Sequence, residues 1–199
     1  MKSRITTHYQ KDISSSAWSN YVRAKFVIWH LVWLCLFRPT PKPFSRWRCF
    51  LLRLFGAKID KKVFIAQSVK IKIPWHLTLH QGVLIGPYAE IYNLGHVTMH
   101  KNAMIAQHVY LCAGSHDLSQ PHLPLMTGPI VLEEYVWVGA KAFVMPGITL
   151  KQGAVLAACA MAVKDLDPWS IYGGNPAKFI KKRIYPHPNA QQPTPDPNT

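Results

Sequence analysis

A serine, a histidine and an aspartate fall together at Ser115, His116 and Asp117, in the stretch GSHDLSQP, with prolines following at 121, 124 and 129. Neutral imidazole titrates near neutral pH, so histidine is the side chain best suited to take a proton from a hydroxyl and hand it on. His116 is therefore the candidate general base; the competing reading is a histidine held by the backbone of its own loop. Asp117 either orients that ring, binds a substrate, or closes a turn by bonding nearby backbone. Glu133 and Glu134 are alternative acidic partners, because residues 118–132 contain no acid. Cys112 lies beside Leu111 in an aliphatic run where a small buried side chain fits, so we read it as structural rather than nucleophilic.

These residues interrupt a regular pattern, and the pattern tells what must hold them. From Val63 onward aliphatic residues recur every six positions, each preceded two residues earlier by a small or β-branched one: Val63/Ile65, Val69/Ile71, Val83/Ile85, Ala89/Ile91, Ala103/Ile105 and Val109/Leu111. After the break the series resumes with Val136/Val138, Ala142/Val144, Ile148/Leu150, Ala154/Leu156 and Ala160/Ala162. Strand alternation explains neighbours two apart, but not a phase kept from 138 to 162 through three glycines. Six-residue periodicity is the signature of a parallel β-helix, in which each hexapeptide supplies one short strand and one corner. Residues 115–131 cannot keep that count and are expected to project as a loop, the usual place for chemistry on a rigid scaffold.

The front of the chain differs in kind. Residues 1–62 hold +11 of the formal net charge of +14, and four of the seven tryptophans. Such basicity attracts nucleic acid, an anionic membrane face or a phosphorylated substrate, and charge alone does not choose among them. The chain lacks CxxC…HxxxH, RNP-type and GxxG patterns, so no nucleic-acid partner is expected. Residues 1–20 and 186–199 read as disordered tails. Between them and the repeats, residues 21–57 read as a basic, aromatic helical segment. Its apolar run is shorter than the roughly twenty residues needed to span a bilayer. Either it packs on the main domain, or it lies in a membrane interface with Trp29 and Trp33 at headgroup level. Prolines 39, 41 and 43 end the first helix, and a second stops at Gly56. The four scattered cysteines and the polar start indicate reduced thiols, no signal peptide and a cytoplasmic protein.

Together the repeats, the GSHD insertion, the segment IVLEEYVWVGAKAFVMPGITLKQGAVLAACAMAVKDL and the terminator IYGGNPAKFIKKR resemble the hexapeptide-repeat O-acetyltransferases. The front segment FRPTPKPFSRWRCFLLRLFGAKI is similar to the branch that acts in colanic-acid and exopolysaccharide synthesis, itself related to maltose and galactoside acetyltransferases. The resemblance covers about residues 21–184. It implies an all-β core wound as a left-handed parallel β-helix over residues 58–185, a homotrimer with active sites between subunits, acetyl-CoA as donor, and a sugar or lipid-linked glycan hydroxyl as acceptor. No metal is expected. By the same resemblance Ala140, Ala158, Lys164 and Lys178 match positions that contact coenzyme A, with Lys181 a further cation, and Trp137 matches an aromatic residue near the thioester. Asn93 matches a polar position that contacts sugar. The chain departs from the pattern where His80, His100, Met145 and Lys151 replace the usual corner glycine, which makes less regular corners expected. Two other readings remain: a zinc protein of the carbonic-anhydrase type using His96, His108, His116 or His122, and a non-catalytic scaffold that binds membrane through its front segment.

Overall fold

The computed structural model describes residues 4–8 and 18–184. Its strands are two to five residues long and form three parallel faces of a triangular coil, with a three-stranded antiparallel sheet outside it. Phe64–Ile65, Leu84–Ile85, Met104–Ile105, Trp137–Val138, Val155–Leu156 and Ser170–Gly173 stack on the first face, which Lys178–Lys182 closes as an antiparallel edge. Lys70–Ile71, Glu90–Tyr92, Tyr110–Cys112, Phe143–Val144 and Met161–Ala162 build the second face, and Lys58–Ile59, Leu77–Leu79, Val97–Met99, Ile130–Leu132 and Thr149–Leu150 the third. This is the left-handed parallel β-helix that the six-residue rhythm implied.

Each rung points one aliphatic residue inward, and these stack into buried columns such as Ile65, Ile85, Ile105, Val138 and Leu156. The paired residues named from the sequence lie on these rungs. What the count missed is the third face in the early turns, where Leu77/Leu79 and Val97/Met99 follow a corner longer than a hexapeptide allows. Corners lacking glycine are nevertheless regular. Tyr135, Lys141 and Cys159 adopt φ near +59°, six residues apart, with Gly147 and Gly153 completing the series. A non-glycine residue costs roughly 1–2 kcal/mol in this conformation, and stacking between successive turns offsets part of it where Tyr88 lies on His108 at 5.0 Å, both at positive φ.

Within the coil, backbone N–H groups donate to carbonyls of the following turn, as Phe64 does to Val83 and Leu84 to Ala103, and of the preceding turn, as Asn102 does to Gln81 and Cys159 to Ala140. The first turn is therefore left with carbonyls and N–H groups that need partners from elsewhere, and Ile65 N–H finds Ser45 Oγ at 2.9 Å. Two helices supply them: α1 (Asn20–Val32, continuing as a π turn over Trp33–Phe37) and α2 (Ser45–Leu54). The indole N–H of Trp29 donates to Ile71 O at 2.7 Å, and that of Trp33 to Val69 O at 2.8 Å. Arg48 Nε donates to Ile65 O at 2.8 Å, Arg53 to Ile59 O at 2.9 Å, and Ser45 Oγ to Val63 O at 3.3 Å. The π turn has a second use. Trp29, Trp33 and Phe37 are four residues apart, a spacing that drifts about 40° per step around an α-helix, and the wider turn brings Phe37 back onto the coil.

Of the two readings of the front segment, packing on the main domain is the one formed by Trp29 and Trp33, which face the coil and not a headgroup layer, because their indoles satisfy its carbonyls. Two expectations are corrected. Residues 4–8 are not part of a tail: Thr6–Thr7 pairs antiparallel with Leu125–Thr127. The loop is shorter than residues 115–131, since Ile130 and Val131 already belong to the third face. Residues 18–20 are likewise ordered, with Ser19 capping α1 at Asn20, and the remainder of both expected tails, residues 1–3, 9–17 and 186–199, lies outside the described residues. Among the described residues no helix is long and apolar enough to cross a membrane.

Arg48 is fully buried and also donates to Thr40 Oγ1, Pro41 O and Lys42 O. Arg48→Met is expected to cost about 3 kcal/mol, because it strands buried acceptors. Arg46→Met on the exposed side of the same helix should stay within about 0.5 kcal/mol. Urea unfolding of the two variants checks the difference.

Candidate functional site

The projecting loop is a β-hairpin, Gly114–His116 against Leu125–Thr127, extended by Asp117 N–H to Pro124 O at 2.9 Å. Outside it lies the Thr6–Thr7 strand, which residues on either side hold in place. Arg4 bonds Asp165 at 3.0 Å and Thr149 Oγ1 at 2.7 Å, Ile5 enters a cavity of about 210 Å³ with Ser115 and Met126, and His8 Nε2 meets Thr127 Oγ1 at 2.9 Å. This strand was missed, although the β-branched run Ile5-Thr6-Thr7 was a faint signal for it.

His116 sits at the end of the hairpin strand and is exposed. Its Nδ1 lies 2.7 Å from Leu123 O. A carbonyl only accepts, so Nδ1 carries a proton, and in the neutral ring Nε2 keeps its lone pair. Leu123 presents that carbonyl by adopting a left-handed φ of +46°, a strained conformation maintained at the one contact that sets the ring's tautomer. The orienting partner is thus main chain, the contact sequence reasoning had no means to see.

Asp117 is corrected accordingly. Its carboxylate accepts from Ser119 N at 3.0 Å, Ser119 Oγ at 2.6 Å and Gln120 Nε2 at 3.0 Å, closing the loop instead of orienting the imidazole. The Ser119 hydroxyl, followed by the Ser119 N–H, holds this carboxyl below the usual range. Glu133 is engaged as well, accepting the Gln152 N–H at 2.7 Å. Cys112 donates to Gly114 O at 3.1 Å, and burial pushes its thiol up, so it remains protonated and unsuited to attack.

Asn93 is corrected too. It is fully buried; its Oδ1 accepts the Ile73 N–H at 2.9 Å, and its Nδ2 donates to Ile73 O at 2.6 Å and His76 O at 3.2 Å. It stitches two long corners together and leaves nothing for a ligand.

The remaining residues gather on the first face. Trp137, Val155, Ile171 and Lys181 stand in one register line across successive strands. Trp137 is 47% exposed and joins Leu84 and Met104 around a shallow cavity of about 250 Å³. Along the adjoining corner the turns touch backbone to backbone, since a Cβ on Gly139 would lie 2.5 Å from Ala158 N. Ala140 and Ala158 follow that contact, and Lys178 pairs with Gly173 farther up the same corner. Trp137, Ala140, Ala158, Lys178 and Lys181 are therefore brought together. Lys164 is exposed but follows Met161–Ala162 of the second face. His116 is not brought to them within one chain. Its hairpin leaves the coil where the second face gives way to the third, whereas Gly139 and Ala140 lie between the first and second. Of the four histidines considered for zinc, His96 bonds Thr78 Oγ1 at 2.9 Å and His108 lies on Tyr88, and among the described residues no three His, Cys, Asp or Glu side chains are grouped to hold a metal ion.

The lowered carboxyl of Asp117 fixes the sign of a pH effect. Its bonds stabilise the folded loop above the unfolded carboxylate's titration and are lost as pH falls through the depressed folded value. Protease nicking between Asp117 and Leu123 should rise on acidification in the native chain, and Asp117→Ala should show the raised rate already at neutral pH. Limited proteolysis followed by mass spectrometry reads both.

Compared with known proteins, the chain matches no family profile. It is 41% identical over 160 residues to the protein named colanic acid biosynthesis acetyltransferase WcaF of Escherichia coli (strain K12), covering 80% of this chain and 88% of that one. In structure it is similar to a maltose O-acetyltransferase from Clostridium difficile 630, with a TM-score of 0.75 at 21% identity, over 84% of this chain and 90% of the other. It is also similar to the hexapeptide-repeat acetyltransferase VCA0836 from Vibrio cholerae O1 biovar eltor, solved with acetyl coenzyme A, with a TM-score of 0.75 at 19% identity over 86% and 93% of the two chains. The coil, its helical cap and this identity over most of its length place the chain in the WcaF-like family of hexapeptide-repeat acetyltransferases, and it is an acyltransferase.

Proposed function

We propose that the chain transfers an acetyl group from acetyl-CoA to a hydroxyl of a sugar, free or carried on a lipid-linked glycan precursor, with His116 as general base. One observation carries the reading: Nδ1–H is tied to Leu123 O, so the exposed ring offers Nε2 as a proton acceptor. The acceptor hydroxyl gives its proton to Nε2 as its oxygen forms a bond to the thioester carbonyl carbon. The tetrahedral intermediate then collapses, the C–S bond breaks, and the departing thiolate takes the proton back from the imidazolium. No acyl-enzyme is formed, in keeping with the protonated state of Cys112.

Coenzyme A fits the first face and its corner. Gly139, Ala140 and Ala158 leave room for the thin pantetheine arm, Trp137 offers an apolar surface near the thioester, and Lys178 and Lys181 meet the phosphates. Lys164 extends that cationic end. Because the histidine and this corner are apart in one chain, the working site joins two neighbouring copies, and a cyclic trimer is the closed assembly that gives each copy one such seam. WcaF is named for colanic acid biosynthesis, which supports a glycan acceptor. We place the protein in the cytoplasm beside an anionic membrane face, where lipid-linked precursors are built.

An acetyl-CoA consumption assay over a panel of glycan repeat-unit intermediates tests the reading. His116→Ala should lower kcat by about 10²–10⁴ while the protein still binds acetyl-CoA; undiminished turnover contradicts it. Lys181→Ala should raise KM for acetyl-CoA by roughly fivefold with kcat unchanged, as expected for lost uniform binding.

A further inference from the structure

The helical cap uses only one side of each helix to close the coil, and the opposite side of α1 is apolar as well. Ala24, Val27, Ile28, Leu31 and Leu34 recur at three- and four-residue spacing and form one stripe. Val27 is 61% exposed, Ile28 53% and Leu31 55%, whereas Trp29, between them in sequence, is 3% exposed. On α2 the exposed Trp47, Phe50 and Leu54 form a second stripe. The two adjoin, because Trp47 Nε1 donates to Leu36 O at 2.9 Å and stacks on Phe50 at 5.5 Å.

Charge borders these stripes. Residues 21–57 contain seven Lys or Arg and no acid. Of these, Arg23, Arg38, Lys42 and Arg46 are exposed around the apolar surface. Beside α2 a cleft of about 500 Å³ opens between the helix and the first coil corner, lined by Arg46, Arg53, Lys61 and Lys62, with Asp60 as its acid. On the α2 surface Arg46 and Arg53 lie next to Phe50 and Leu54, so the cationic strip passes directly into the apolar one.

We infer that this outer face of the cap docks on a bilayer of acidic phospholipid, its aliphatic and aromatic stripe entering the headgroup boundary and the Arg46–Lys62 cleft holding a phosphodiester headgroup. Exposed apolar residues on helices that carry cations and no acid are the pattern of an interfacial helix, and in the cleft beside them four cations outnumber Asp60. The charge selects a bilayer over a second copy, since two acid-free, basic caps brought face to face repel each other. The inference deepens the membrane location given above and does not depend on the transfer chemistry. The face is also the reverse of the one first suspected, for the tryptophans of α1 belong to the coil and its aliphatic residues to the lipid.

The test is sedimentation of the full chain with vesicles of phosphatidylglycerol and phosphatidylcholine, against vesicles of phosphatidylcholine alone, at low and high salt. The native chain should pellet with the acidic vesicles, and added salt should release it. Ile28→Glu/Leu31→Glu and Arg46→Glu/Lys62→Glu should each weaken pelleting by at least about tenfold, with acetyl-CoA consumption on a water-soluble acceptor unchanged. Native protein that stays in the supernatant overturns the inference, as does equal pelleting by the variants. A lower mass for Ile28→Glu/Leu31→Glu in sedimentation velocity without lipid also overturns it, in favour of a second copy. Pelleting by a chain that transfers no acetyl group sustains the docking surface and counts only against the transfer reading.

Discussion

The structure depends on one ladder of hydrogen bonds. Backbone N–H groups of each turn donate to carbonyls of both the following and the preceding turn, and the inward aliphatic columns keep those turns in register. At the first turn the ladder leaves carbonyls and N–H groups without a neighbouring turn, which accounts for part of the composition of the front segment: tryptophan and arginine donate to those carbonyls, and Ser45 both donates to Val63 O and accepts from Ile65 N–H. Trp29, Trp33, Ser45, Arg48 and Arg53 all serve that end. At the opposite end Lys178–Lys182 folds back antiparallel and closes the first face. Of the basicity that suggested an anionic partner, Arg48 and Arg53 are engaged by the coil, and the other exposed cations of the front segment remain for one.

The same geometry divides the chemistry. A three-faced coil has three corners, and a residue's place in the repeat decides which corner it occupies. The hairpin bearing His116 leaves one corner; the small residues around Gly139 and Ala158 form another. On the proposed function neither is complete alone, since His116 would be a base without a donor groove and the second corner a groove without a base. The hairpin is braced on its outer side by the Arg4–His8 segment and internally by Asp117, so the ring of His116 is held by backbone and loop, not by a carboxylate partner. A base oriented by a carbonyl keeps its tautomer without gaining a neighbouring negative charge.

How much of this could be read from the sequence follows from the range of the interactions involved. The coil was legible because its determinant is periodic: Val136/Val138 and its successors repeat the same local requirement every six residues. The length of α1 and the stop of α2 at Gly56 were legible for the same reason, being set by helix-forming and helix-breaking residues close in sequence. His116 was found because it stands where the period fails. The third face of the early turns was missed because Ile73 and Asn93 lie in corners too long for the count, and Asn93 was assigned to ligand when its amide bonds a turn twenty residues away. The side of α1 that meets the coil was equally hidden, since both sides are apolar and only the unpaired carbonyls of the first turn choose the tryptophans. Leu123 as the partner of His116 was beyond reach, because a backbone carbonyl leaves no mark in the residue types.

The claim on which the rest turns is that base and donor groove come from different copies of the chain. Mixing two inactive proteins tests it most directly: one carries His116→Ala, the other Ala158→Trp to block the groove, and the two are dissociated, mixed in equal amounts and reassembled. If each site joins the histidine of one copy to the corner of its neighbour, about a quarter of the sites in random assemblies are intact, and the mixture regains about a quarter of native acetyl transfer. If both parts come from one chain, every site retains a lesion, and a mixture as inactive as its components contradicts the account.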